Sequence, residues 1–190
     1  MSVGRQTDRG GPGFGLGFTL IELIVVITLI SILGAVLLER FLRYREMAEK
    51  TAMEQVIVIL QSAMTLRVSA FLVRSQIERI EAMPQQNPMG WLAEKPSNYI
   101  GEYYQPDPVD LPQGSWYYDL HDHELVYLVD SGRYFVPGVD GRRWVRLRIE
   151  LLYDDLDRPQ GSRGGTGQTG KQELAGVVIR PVHPYHWFWQ

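Results

Sequence analysis

The chain of 190 residues contains no cysteine. Disulfides and thiolate metal sites are therefore excluded, and an extracytoplasmic domain built from it must hold by its core, by calcium or by its neighbours. Positive charge is not in excess either: Lys and Arg number 19 against 22 Asp and Glu, for a net charge of −3. No basic field invites nucleic acid, and no nucleic-acid partner is expected. Between Glu39 and Met83 there is neither glycine nor proline, so nothing in that interval interrupts a helix. A phosphate-binding glycine loop, a nucleophile elbow and paired carboxylates are also missing, and catalysis is not expected.

What is present is organised around residues 13–38, GFGLGFTLIELIVVITLISILGAVLL. From Phe18 to Leu38 the only charged residue is Glu22. A helix of that length, rising about 1.5 Å per residue, just crosses a hydrocarbon core about 30 Å thick. A carboxylate in lipid costs roughly 2.5–3.5 kcal/mol on insertion scales, and such residues usually mark function and have a partner. No neighbouring residue supplies a cation. Cleavage between Gly17 and Phe18 would make one, because Phe18 would gain an α-amino group one helical turn from Glu22. Within one helix a first-turn carboxylate suits the positive end of the dipole. Between staggered copies, the amine of one chain would neutralise Glu22 of the next. The plainer alternative is a membrane anchor whose Glu22 snorkels to the interface.

Residues 1–17, MSVGRQTDRGGPGFGLG, read as a flexible leader of net side-chain charge +1. An ordinary secretory signal would place a small-residue cleavage site after the apolar run, and no A-x-A pattern follows Leu38.

A polar leader ending in glycine, followed by Gly17-Phe18-Thr19-Leu20-Ile21-Glu22-Leu23 and a long apolar helix, resembles the N-terminal signal of type IV pilins and type II secretion pseudopilins. The match covers about residues 13–45. It implies that a prepilin peptidase cuts after Gly17, that the new amine of Phe18 is N-methylated, and that Glu22 positions each subunit in a helical filament. It further implies an inner-membrane protein crossing once, with its C-terminal domain in the bacterial periplasm, whose partners are other pilin or pseudopilin subunits and the inner-membrane assembly platform. Positive-inside counting runs the other way, since Arg40, Arg43, Arg45 and Lys50 outnumber the two arginines of the leader. Many major pilins close a C-terminal loop with a disulfide; this chain has none, which favours a minor pilin or pseudopilin. Many members also carry a proline just inside the apolar run. Here any kink would fall at Gly34.

The rest of the chain is read by pattern. Met53, Val56, Ile57, Leu60, Met64, Val68 and Phe71 follow the i, i+3, i+4, i+7 series of one helix face. The spacing predicts one helix over about 18–82, transmembrane over 18–38 and amphipathic over 39–83, stopped by Pro84. Residues 84–115 are rich in proline and read as an irregular connecting loop. Strands are predicted at 116–120, 124–129, 144–153 and 176–180, the first two forming a hairpin about His121-Asp122-His123. Along 144–153, Val145, Leu147, Ile149 and Leu151 alternate with Arg146, Arg148 and Glu150, as in a sheet with one face packed and one wet. Residues 154–173 form a Gly-rich polar stretch expected to be a mobile loop within a β domain spanning 116–190. The fold class is α+β, and the resemblance implies the pilin-like roll: a long N-terminal helix on a small antiparallel sheet of about four strands.

Candidate chemistry outside the apolar run is thin. His121 and His123 have spacing for a metal if they lie in a strand, but in a turn beside Asp122 they are solvated. Asp154, Asp155 and Asp157 offer hard oxygen ligands for calcium, as some pseudopilins use in this region. No further ligands follow at matching spacing, so a solvated acidic loop is preferred and no cofactor is expected. His183 and His186 have no nucleophile arranged with them. Trp187, Phe188 and Trp189 either fold back to close the core or contact a partner. Three functions remain open: a filament subunit, a monomeric single-pass anchored periplasmic binding or sensor domain, and a metal-dependent enzyme using His121, His123 and the aspartates.

Overall fold

The structure, a computed structural model, describes residues 19–155 and 172–188. The chain divides into two compact units, Met1–Leu42 and Arg43–Gln190. One helix, α1 (Leu20–Val73), contributes to both.

In the first unit the described residues are the start of α1. Every side chain from Thr19 to Leu42 is exposed, and the helix is long and apolar enough to cross a membrane. Its hydroxyls do not go begging: Thr28 Oγ1 donates to the Ile24 carbonyl at 2.8 Å and Ser31 Oγ to that of Ile27 at 2.7 Å. A polar side chain satisfied by its own helix costs little in hydrocarbon.

In the second unit α1 presents Met53, Leu60, Met64 and Phe71 to the core, the stripe expected from periodicity. The helix stops earlier than expected, at Val73 rather than near residue 82. Ser75 takes the left-handed conformation (φ 55°). Its N–H bonds the Leu72 carbonyl, and the Gln76 N–H reaches back to Phe71 at 2.9 Å. These are the two bonds of a Schellman ending, built here on serine instead of glycine. A short α2 (Ile77–Glu81) follows and buries Ile80.

The sheet has five strands in the order β1-β2-β3-β5-β6: β1 Tyr99–Tyr103, β2 Trp116–Asp119, β3 Glu124–Leu128, β5 Trp144–Asp155 and β6 Gln172–Pro181. Two-residue strands β4 (Phe135–Val136) and β7 (His186–Trp187) pair separately. The expected strands are all present, but the sheet is mixed. The supposedly irregular connector supplies β1, which runs parallel to β2, and three short 3₁₀ turns at Met83–Gln85, Pro88–Trp91 and Pro108–Asp110. Asp154 and Asp155 belong to β5, opposite Glu173 and Gln172 of β6, and not to a loop.

Both faces of the sheet centre are covered. On one, Trp116, Tyr118, Leu125, Tyr127, Val145, Leu147 and Ile149 join the α1 stripe. On the other, Tyr117, Val126 and Leu128 pack with Ile100, Tyr103, Leu111 and Trp144. The face expected to be wet is therefore half closed, because connector residues lie over it. There Arg146 and Arg148 converge on Glu124, which is 0% exposed. A buried carboxylate shared by two guanidinium groups is tolerable where an unpaired one would not be.

Leu60, fully buried where α1 meets the sheet, tests the packing. Leu60→Ala is expected to lower unfolding free energy by about 2–5 kcal/mol, read as a shift of the urea midpoint of the full chain in detergent.

Candidate functional site

The first turn of α1 is a capping arrangement. Thr19 Oγ1 accepts from the Glu22 N–H at 3.3 Å, and the Thr19 carbonyl accepts from the Leu23 N–H at 3.1 Å. Threonine at the N-cap satisfies one otherwise orphaned donor, and the glutamate three residues on places a carboxylate at the positive helix end. The Glu22 side chain is exposed, and among the described residues it forms no ion pair or hydrogen bond. Gly17 and Phe18 lie outside the described residues, as do Asp157 and Trp189.

The histidines do not assemble a metal centre. His121 and His123 occupy the β2–β3 turn, where His121 Nδ1 lies 2.8 Å from Asp122 Oδ1 and the His121 ring meets Tyr104 edge-on. Asp122 is also held by Arg146 at 2.7 Å. His183 packs beside Gly138, and His186 lies exposed in β7. Among the described residues no group of three or more His, Asp or Glu side chains could hold a metal.

Of the C-terminal aromatics, Trp187 and Phe188 close the core. Trp187 is buried, edge-on to Phe135, and Phe188 stacks on Tyr134 at 5.2 Å. What holds them was not legible as a site. Glu46, on α1, is only 2% exposed; its Oε1 accepts from Trp187 Nε1 at 3.0 Å and from the Tyr134 N–H at 2.8 Å. Three residues on, Glu49 accepts the Asp130 and Ser131 N–H groups, each at 2.7 Å, and the Tyr127 hydroxyl at 3.1 Å. Sequence pattern places both glutamates among the charges at the edge of the apolar stripe. Their i, i+3 spacing puts them on one helix face, and that was the only available signal.

Burial also changes tyrosine chemistry. Desolvation raises Tyr117 and Tyr118 to about 12. Tyr127 is raised further, first by desolvation and then by the Glu49 carboxylate.

No protein-family model, no curated protein and no solved structure matches the chain.

Two outcomes are expected. Glu46→Ala leaves the Tyr134 and Trp187 donors unpaired inside the domain and is expected to cost about 1–3 kcal/mol for each, while Glu46→Gln, which keeps an acceptor, costs less; urea unfolding separates the two. Separately, phenols held protonated to about 12 in the folded domain ionise near 10 once unfolded. The unfolded chain then binds fewer protons above pH 10. Their contribution is complete below that pH and is lost as pH rises through about 12. Phenolate absorbance against pH should show a late-titrating class that disappears in urea.

Proposed function

We propose that the chain is a structural, non-catalytic subunit of a type IV pilus-like filament, a minor pseudopilin of type II secretion or a minor pilin. The observation that carries this reading is Gly17-Phe18-Thr19-Leu20-Ile21-Glu22-Leu23 at the head of an apolar helix. Prepilin peptidase cuts after Gly17, Phe18 is N-methylated, and the released amine of one subunit meets Glu22 of the next. The pairing neutralises a carboxylate that is costly in lipid and sets the stagger between helices. Before assembly the protein sits in the bacterial inner membrane with its domain in the periplasm, in contact with the assembly platform.

A second feature supports self-packing. On the side of α1 turned away from the core, between Thr51 and Val73, lie Val58, Ile59, Leu66 and Val73, Leu66 at 73% and Val73 at 88% exposure, with Glu54 at the margin of this apolar strip. Thr51, Ser62, Thr65 and Ser69 on that side each bond the carbonyl four residues back, leaving small, self-satisfied positions suited to close helix approach. A monomeric anchored sensor would leave this surface without an occupant.

Glu22→Gln and Glu22→Ala are expected to insert normally into the membrane and to lower the fraction of subunits in sheared filaments at least about tenfold, equivalent to roughly 1.4 kcal/mol per contact. Filament yield equal to that of the unaltered chain would overturn the proposal.

A further inference from the structure

We propose that the domain surface formed by Arg43, Arg133, Arg143, Tyr134 and Phe188 is a seat for an anionic phospholipid bilayer. The proposal rests on the membrane-spanning part of the function above and is independent of filament assembly. The Arg43 guanidinium lies 5.6 Å from the centroid of the Tyr134 ring and that of Arg133 lies 6.0 Å from it. Tyr134 stacks on Phe188, with 25° between the ring planes. Gly132 is buried, and a Cβ there would stand 3.1 Å from Arg143 Cδ. The missing side chain lets Arg143 lie along the same loop.

The three arginines are exposed, whereas three acidic groups nearby, Glu46, Glu49 and Asp130, are engaged elsewhere. Glu46 is buried under Trp187, Glu49 takes the Asp130 and Ser131 N–H groups, and Asp130 pairs with Arg45. Apart from Glu39, one helical turn before Arg43, the exposed remainder is cationic and aromatic. That is the composition that favours the headgroup layer: rings with an apolar body and wet edge, beside charges that complement phosphate.

Chain connectivity brings the patch within reach. Arg43 follows Leu38, the last residue of the apolar run, by five positions. Five residues span about 7.5 Å as helix and at most about 18 Å extended, against a headgroup layer about 5–7 Å thick on each side. An arginine at such a surface strengthens association about fivefold, and three act together.

The absence of native cysteine makes the test direct. Full-length chain carrying one fluorophore at Ser131→Cys is reconstituted in phosphatidylcholine vesicles with or without about one-third phosphatidylglycerol, and quenching by a headgroup nitroxide lipid is measured. Stronger quenching is expected in the anionic vesicles, falling to the zwitterionic level in about 1 M salt, where the screening length is about 3 Å. The Arg43→Gln, Arg133→Gln double variant should lose the response and the Arg43→Lys, Arg133→Lys variant should keep it, with near-ultraviolet circular dichroism unchanged in both. A label at Leu72→Cys, on the same helix, should not respond. Equal quenching at Ser131→Cys in the two vesicles, or a response surviving the Gln variant, overturns the seat. A label at Ile30→Cys with an acyl-chain nitroxide separates the readings: if it is quenched, the span holds and only the seat has failed, and if it is not, the spanning reading itself is overturned.

Discussion

Glu46 and Glu49 bind the middle of α1 to the loops that would otherwise swing away from it. Between them they accept three backbone N–H groups, one indole N–H and one phenol. Their partners come from the segment 127–134 and from Trp187, so residues far apart in the chain are fixed to a single face of one helix. Charged acceptors give stronger hydrogen bonds than neutral ones, and buried they exclude alternatives that would leave them unpaired. With these contacts made, Trp187 meets Phe135 edge-on, Phe188 stacks on Tyr134, and this side of the core is closed. A domain with no cysteine thereby gains by hydrogen bonding the loop closure that a disulfide would otherwise give.

The same economy of charge extends across the sheet. Glu124 takes both Arg146 and Arg148, and Asp122 shares Arg146. Glu46, Glu49, Asp122 and Glu124 are thus spent on internal structure. Glu22 differs: it stands exposed in a capped first turn of an apolar helix, with no cation paired to it among the described residues. In the proposed filament a neighbouring amine fills that role. The arginines after the apolar run also find a structural reading. Arg43 stacks on Tyr134 and Arg45 pairs with Asp130, so both are used within the domain whatever their topogenic role.

Much of the architecture was legible because it rests on periodicity. The α1 stripe and the alternation of Val145, Leu147 and Ile149 report burial directly, and both of these apolar faces are packed as expected, while the opposite face of the sheet is half covered rather than wet. The errors share a cause, the reading of special backbone as the property of glycine and proline alone. Ser75 ends α1 without either, and the Pro-rich connector still spares Tyr99–Tyr103 to pair as a parallel edge strand. Parallel pairing is long-range and leaves no local turn signal. Glu46 and Glu49 were visible only as charges beside a stripe; their burial depends on donors some 80 to 140 positions away in the chain, about which local pattern is silent. Conversely, the apolar run is wholly local, and there the structure has the long apolar helix that the run predicts.

Processing determines whether Glu22 ever meets an amine. Intact mass and N-terminal analysis of the protein isolated from native membranes, with and without the cognate prepilin peptidase, measures this directly. The expected species begins at N-methylated Phe18 when the peptidase is present and retains residues 1–17 when it is absent. A chain that still begins near Met1 in cells with active peptidase would contradict the account and leave a plain membrane anchor.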